Sequence, residues 1–241
     1  MQLRIENLSK SFKDLNVLID LNYTFEKGKI YAILGKNGSG KTTLFNCIAE
    51  EMDFDKGKIY LDDELINHQD VGYVYTDPML PLFLTGYEFL TFFADIHKDK
   101  GLSRAEVDEY FDRIDFKEED RHRMIKDYST GMKNKLQMLC IILTKPKVLL
   151  LDEPLTSLDL VSSMNMKKEL MKIKDNTIMI LSTHILQIAK DISDEIVILT
   201  KGKLLDVDET AEDFEQKVLE ILQDEWDSIS TEVQQHSSLA G

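Results

Sequence analysis

The chain has 241 residues, enough for one large domain, or one domain with a small insertion, around a sizeable core. Its 44 acidic against 29 basic residues give a formal charge of −15, which argues against a nucleic-acid-binding surface. No apolar run approaches the roughly 18 residues that cross a bilayer. The opening Met1 to Lys10 lacks an apolar signal region, so a cytoplasmic chain is expected.

Leu3, Ile5 and Leu8 open one strand region and Val17 to Phe25 supply a second. In the second, Leu21-Asn22-Tyr23-Thr24-Phe25 alternates apolar and polar as a half-buried strand does. Phe12, between them, is either an exposed aromatic able to stack on a planar ring or a core residue. Lys27-Gly28 is a turn signal, and Ile30 to Leu34 reads as a buried strand. That strand runs into Gly35-Lys36-Asn37-Gly38-Ser39-Gly40-Lys41-Thr42-Thr43, and helix-forming residues follow from Leu44 to Ala49. A strand feeding a glycine-rich turn that opens a helix is the arrangement of a phosphate-binding loop. Glycines let the backbone approach phosphate oxygens, and the loop N–H groups and the positive helix end face the anion. Lys41 is placed to reach the outer phosphates of a nucleotide, and Thr42 to put its hydroxyl on Mg²⁺.

Lys58 to Leu61 and Val71 to Tyr75 are the next strands; Pro78 stops the latter. From Pro78 to about Lys145 the pattern becomes helical, and this block is read as a subdomain. Thr85-Gly86-Tyr87-Glu88 has capping-box spacing before a helix through about Ile96, and Ser103-Arg104-Ala105-Glu106 repeats it before a helix carrying Val107, Tyr110, Phe111 and Ile114 on one face. Tyr87, Phe89, Phe92 and Phe93 are expected mostly in the core. Ser129 caps a further helix with Leu136, Leu139, Cys140 and Leu143 buried, ended by Pro146. Its start is either an ordinary cap or a second anion site. Cys47 and Cys140 read as reduced core residues.

Val148 to Leu151 is a continuous apolar strand, buried on both faces as in a parallel sheet, and it ends in Asp152-Glu153-Pro154. Ligands of open α/β sheets bind beyond the carboxyl ends of the strands, which is where Asp152 can hold Mg²⁺ and Glu153 orient a water. Ser157-Leu158-Asp159 and a lysine-rich helix to about Lys174 follow. The strand Asn176 to Ser182 ends at Thr183-His184 on the same ligand side; His68, His97, His122 and His236 read as surface residues. Ile196 to Leu199 and Lys203 to Val207 complete a strand–turn–strand. Residues 206–233 are strongly acidic and contain an amphipathic helix with Phe214, Val218, Ile221, Leu222 and Glu225. That helix is either packed on its own domain or a docking tail, and 234–241 is expected to be a disordered tail.

Five of these segments, Gly35 to Thr43, Ser129 to Met132, Leu150 to Pro154, Ser157 to Asp159 and Ser182 to His184, stand in the order and approximate spacing of an ABC ATPase. The chain resembles the ATP-binding subunit of an ABC transporter over about residues 1–205, and the single-domain bacterial exporter type in particular. The resemblance implies an α/β fold: a P-loop NTPase with a RecA-like, mostly parallel sheet core, an antiparallel β subdomain and a helical subdomain at about 78–145. By the same resemblance, Phe12 stacks on adenine, Lys41 and the loop from Gly35 to Thr43 hold the phosphates of ATP, and Thr42 and Asp152 hold Mg²⁺. Glu153 positions the attacking water and His184 contacts the terminal phosphate. Ser129, Gly131 and Asp159 serve the site of a second subunit in a head-to-tail dimer, a homodimer or a pair with a related chain.

Two positions depart from the family pattern. The usual L-S-G-G-Q is Tyr128-Ser129-Thr130-Gly131-Met132 here, keeping the serine and second glycine that contact phosphate. The glutamine expected after Val71 to Val74 is absent, and Thr76 or Asp77 stands in its place as a candidate metal contact. The implied function is an ATPase subunit that sits on the cytoplasmic face of the membrane and powers transport, in the direction of export, through a separate integral membrane permease. The alternative is an ATP-binding regulatory subunit with little hydrolysis.

Overall fold

The structure is a computed structural model that describes residues 1–156, 158–208, 211 and 213–223. Strands β1 (Gln2–Phe12) and β2 (Leu15–Glu26) form one antiparallel hairpin, longer than the two short runs that the sequence pattern marks. Leu3, Ile5 and Leu8 are all buried although the last step is three residues. A register shift between Ile5 and Leu8, with Asn7 at φ 52°, adds the extra residue and returns Leu8 to the inner face. β4 (Lys56–Leu61) pairs with β1, and β5 (Glu64–Leu65) with β4, giving the order β2-β1-β4-β5.

The second sheet has β3 (Ile30–Leu34), β6 (Val71–Val74), β7 (Val148–Asp152), β8 (Ile178–Thr183), β9 (Glu195–Thr200) and β10 (Lys203–Asp206) in the order β10-β9-β3-β8-β7-β6. All neighbours are parallel except β10 on β9. Every residue of β3, β7 and β8 is buried, as expected of parallel strands covered on both faces.

Side-chain alternation divides these strands between two apolar clusters. Tyr31, Ile33, Leu150 and Ile180 pack toward the antiparallel sheet and helix α1 (Lys41–Ile48). Ile30, Ala32, Leu34, Leu149 and Leu181 face the helices α2 (Gly86–Ile96), α3 (Val107–Arg113), α5 (Thr130–Leu143), α6 (Leu160–Ile173) and α7 (Leu186–Ile192). The short α4 (Glu118–Arg121) lies between α3 and α5 in the chain. α5 lies so close to β6 that a Cβ at Gly72 would come within 2.5 Å of Ile141 and 2.8 Å of Pro146.

Local chemistry sets most helix ends. Thr85 and Glu88 close the expected capping box: the Thr85 hydroxyl accepts from the Glu88 N–H at 3.1 Å, and the Glu88 carboxylate accepts from the Thr85 N–H at 2.9 Å. Ser103 differs. Its hydroxyl accepts from the Ala105 N–H, a short 3₁₀ turn intervenes, and Glu106 takes the Tyr110 hydroxyl instead of closing a box. The aromatic set is mostly core, as expected: Tyr87, Phe89 and Phe93 are half-buried and pack against the helical cluster beside the inner stripe of Gly86, Leu90 and Ala94, and Phe92 is exposed. His97 is half-buried against Phe93, with ring centroids 4.4 Å apart, where a surface position was expected. A last helix, α8 (214–223), buries Phe214 and Val218 against the second cluster, and Lys190 of α7 pairs with Glu215 at 2.6 Å. Glu225, His236 and the expected tail at 234–241 lie outside the described residues, as does Ser157.

Candidate functional site

β3 delivers the chain at its carboxyl end to Gly35, and the loop turns through Gly38 (φ 85°) and Gly40 (φ 102°) into α1. Gly40 has two reasons to be glycine. Its backbone is left-handed, and a Cβ would lie 2.8 Å from Val17 Cγ1. It also places no side chain over the N-terminus of α1, so nothing caps the first-turn N–H groups from the side. Lys41 is buried, and its Nζ donates to the carbonyls of Gly35 at 2.7 Å and Lys36 at 3.0 Å, so the cation lies across the loop. Ser39 Oγ is buried without a protein hydrogen-bond partner.

β7 and β8 bring the second half of the site. Asp152 ends β7 at 3% exposure; its Oδ2 accepts from the Thr42 hydroxyl at 2.8 Å, and its Oδ1 accepts from the Ser182 hydroxyl. Glu153 follows at φ 50°, a left-handed conformation that a side-chain-bearing residue holds only when its surroundings enforce it. Its N–H donates to Ser182 Oγ at 3.1 Å, so one hydroxyl fixes both acidic residues. Glu153 Oε1 lies 2.8 Å from His184 Nδ1, while Oε2 is buried without a protein partner. The Thr76 hydroxyl donates to the Asp152 carbonyl at 3.2 Å.

One cleft of 430 Å³ is lined by Phe12, Val17, Asn37, Gly38, Gly40, Lys41, Thr42, Thr43, Thr76, Asp152 and Glu153; Gly35, Lys36, Ser39, Ser182 and His184 stand behind or beside this lining. Phe12 is 43% exposed at the end of β1, with Lys10 Nζ 5.1 Å from its ring centroid, so it is a rim residue and not a core one. Asp77 is exposed and does not line the cleft.

Ser129, Gly131 and Asp159 do not line it either. Ser129 caps α5, accepting from the Met132 N–H at 3.2 Å. Asp159 caps α6, accepting from the N–H and hydroxyl of Ser162 at 3.0 and 2.7 Å; the Ser162 N–H first and then its hydroxyl hold the Asp159 carboxyl below its ordinary value. Sequence reasoning assigned no role to Ser182 or Gln137. A hydroxyl ending an otherwise apolar strand was the available signal for Ser182; Gln137, on a helix face among apolar neighbours, gave none.

The donor set suits Mg²⁺. Among the described residues no three His, Cys, Asp or Glu side chains converge as a closed metal cage. Instead one carboxylate and one hydroxyl stand together beside a phosphate-type loop, which leaves room for phosphate oxygens and water around a hard octahedral cation.

A glycine loop, its lysine, a hydroxyl–carboxylate pair and a glutamate at the strand ends define a P-loop nucleoside triphosphatase. A family model described as "ABC transporter" matches residues 18–156. The chain is 32% identical over 214 residues to the uncharacterized ABC transporter ATP-binding protein YhcH of Bacillus subtilis, covering 85% of this chain and 69% of that one. It is 34% identical to the spermidine/putrescine import ATP-binding protein PotA of Fusobacterium nucleatum (88% and 58% covered) and 30% identical to the bacitracin transport ATP-binding protein BcrA of Enterococcus faecalis (83% and 67% covered). The cassette MJ0796, solved as a post-hydrolysis dimer bound to ADP and Pi, superposes with a TM-score of 0.74 at 21% identity, covering 84% of this chain and 96% of that one. The chain belongs to the ABC transporter family, as an ATP-binding subunit with the ABC cassette fold, and it is an ATPase. Subunits of this family dimerise and work with membrane permease subunits.

Proposed function

We propose that this chain binds ATP with Mg²⁺ in the 430 Å³ cleft, hydrolyses it in a head-to-tail dimer, and drives export through a separate permease at the cytoplasmic face of the membrane. The observation that carries the reading is the set of Thr42, Asp152 and Glu153 in the cleft, with the Thr42 hydroxyl 2.8 Å from Asp152 and His184 2.8 Å from Glu153.

In this reading the loop from Gly35 to Thr43 cradles the phosphates. Lys41 exchanges its loop carbonyls for phosphate oxygens and neutralises charge that develops on them. Phe12 stacks on the base at the rim. Thr42 and Asp152, with Thr76 beside them, would hold Mg²⁺, which supplies charge neutralisation on the outer phosphates. Glu153 holds the attacking water through the oxygen that His184 leaves free, and His184 contacts the terminal phosphate. Ser129, Gly131 and Asp159, outside the cleft, serve the site of the second subunit, so closure of two copies, or of this chain and a related one, completes both sites.

An exposed apolar surface supports the permease partner. Phe83 is 75% and Met79 74% exposed, and Leu82, Phe92 and Ile96 are exposed nearby in the chain. No helix among the described residues is long and apolar enough to cross a membrane. The direction of transport rests on the likeness of the Thr85 to His97 stretch to exporter subunits. The relatives include one named for import, so transport into inside-out vesicles is the direct check. The function is tested by co-purification: an integral membrane protein should accompany the wild-type chain and be lost with Phe83→Glu. Recovery of the chain without any membrane protein would count against the permease.

A further inference from the structure

Gln137 is a buried polar side chain in the middle of α5, 5% exposed among Leu136, Met138 and Leu139. Its amide holds one short segment at both ends. Nε2 donates to the Tyr75 carbonyl at 2.9 Å, and Oε1 accepts from the Met79 N–H at 3.2 Å. Between those anchors lies Thr76, whose hydroxyl meets the Asp152 carbonyl and lines the cleft.

A buried amide is costly unless its partners are in place, so the pair of bonds selects a single conformation of the 75–79 segment. That matters more for threonine than for a longer side chain. The Thr76 hydroxyl is one bond from Cβ, so the backbone and a single χ1 angle decide where it lies, and no rotation farther out can compensate for a shift of the segment. Misplacement of a group at a reacting centre by about 1 Å is enough to cost two orders of magnitude in rate.

We propose that Gln137 is a positioning residue: by clasping the 75–79 segment to α5 it sets the Thr76 hydroxyl beside Asp152 and so governs the metal dependence of nucleotide binding. This rests on the reading of Thr42, Asp152 and Thr76 as the oxygen donors around Mg²⁺. It also gives α5, which begins at the Ser129 cap, a direct mechanical connection to the cleft of its own subunit.

The test is equilibrium binding of a fluorescent ATP analogue to the full chain, in excess Mg²⁺ and in EDTA, for wild type, Gln137→Leu, Gln137→Glu, Thr76→Val and the Thr76→Val/Gln137→Leu double variant. Removing an outer-shell partner typically costs 10–100-fold in metal affinity, so Gln137→Leu should lose about 10-fold of the affinity gained from Mg²⁺ while binding in EDTA stays unchanged. Gln137→Glu, which keeps the acceptor for Met79 and loses the donor to Tyr75, should fall between and covers the case that the leucine variant does not fold. In the Thr76→Val background Gln137→Leu should add nothing further. Equal losses with and without Mg²⁺, or additive effects in the double variant, would reduce Gln137 to a packing residue and overturn the proposal. A metal gain that Thr76→Val lowers and both Gln137 variants leave intact would overturn it as well. A metal gain untouched by Thr76→Val would overturn the donor reading itself, and the proposal with it.

Discussion

His184 Nδ1 and Glu153 Oε1 stand 2.8 Å apart at the carboxyl ends of two adjacent parallel strands, β8 and β7. The contact fixes one carboxylate oxygen and leaves Oε2 buried without a protein partner. Glu153→Gln preserves shape and removes the charge. General-base positioning is worth about 10²- to 10⁴-fold, so turnover should fall by that order while ATP binding persists. Turnover and equilibrium binding measured on the same preparation check this; normal turnover in the variant would remove Glu153 from the mechanism. His184→Ala should lower turnover less, because it removes the orienting partner and one phosphate contact but leaves the Glu153 carboxylate in place.

Lys41 already spends its charge on two loop carbonyls, so its side chain is preplaced for phosphate. Hydrogen bonds to charged groups contribute about 1.5–3 kcal/mol, and each 1.4 kcal/mol is tenfold in affinity. Lys41→Met should therefore weaken ATP binding by about 10- to 100-fold. Isothermal titration would settle it, and unchanged affinity would show that the loop amides suffice.

Gly40→Ala meets both a positive φ and a 2.8 Å approach to Val17 Cγ1. Backbone strain of this kind costs about 1–3 kcal/mol, and the loop has to shift to relieve it. A lower unfolding midpoint together with weaker ATP binding is the expected result. A change in stability alone would mean that the loop repairs itself without moving its N–H groups.

Asp159 gives a pH dependence whose sign follows from its cap. Its folded pKa lies below the unfolded value of about 3.9, lowered first by the Ser162 N–H. The stability from this cap is complete above the unfolded pKa and is lost as pH falls through the lower folded value. The difference in unfolding midpoint between wild type and Asp159→Ala should be constant from pH about 7 to about 5 and close below about 4. A difference that persists undiminished at low pH would assign the effect to something other than the carboxylate cap.

Elements set by local chemistry were readable in the sequence. Ile30 to Leu34, the glycine loop and α1 form one uninterrupted segment whose residue types dictate its shape, and Val148 to Asp152 announces itself as an apolar run closed by acids. The Thr85 and Ser129 caps were legible for the same reason. What escaped was set by partners distant in sequence. Ser182 acts on Asp152 and Glu153 about thirty positions away, and Gln137 acts on a segment about sixty positions away. The left-handed backbone of Glu153 follows from that packing and has no signature in its own residue type. The aromatic set on α2 was legible as mostly core: Tyr87, Phe89 and Phe93 pack at the margin of the helical cluster and Phe92 alone is exposed, while Gly86, Leu90 and Ala94 form the fully buried stripe.

The two cysteines sit on opposite sides of the six-stranded sheet, Cys47 in α1 under the phosphate loop and Cys140 in α5. Burial pushes the Cys47 thiol up to about 11 and raises Cys140 as well, so neither offers thiolate to a reagent while its layer is closed. The molecule thus carries two native chemical clocks. The rate at which each thiol is alkylated times the opening of its own layer, one next to the nucleotide and the other on the helix that begins at Ser129. A nucleotide that slows only the first clock tightens the loop alone, and one that slows both tightens the layers on either side of the sheet together.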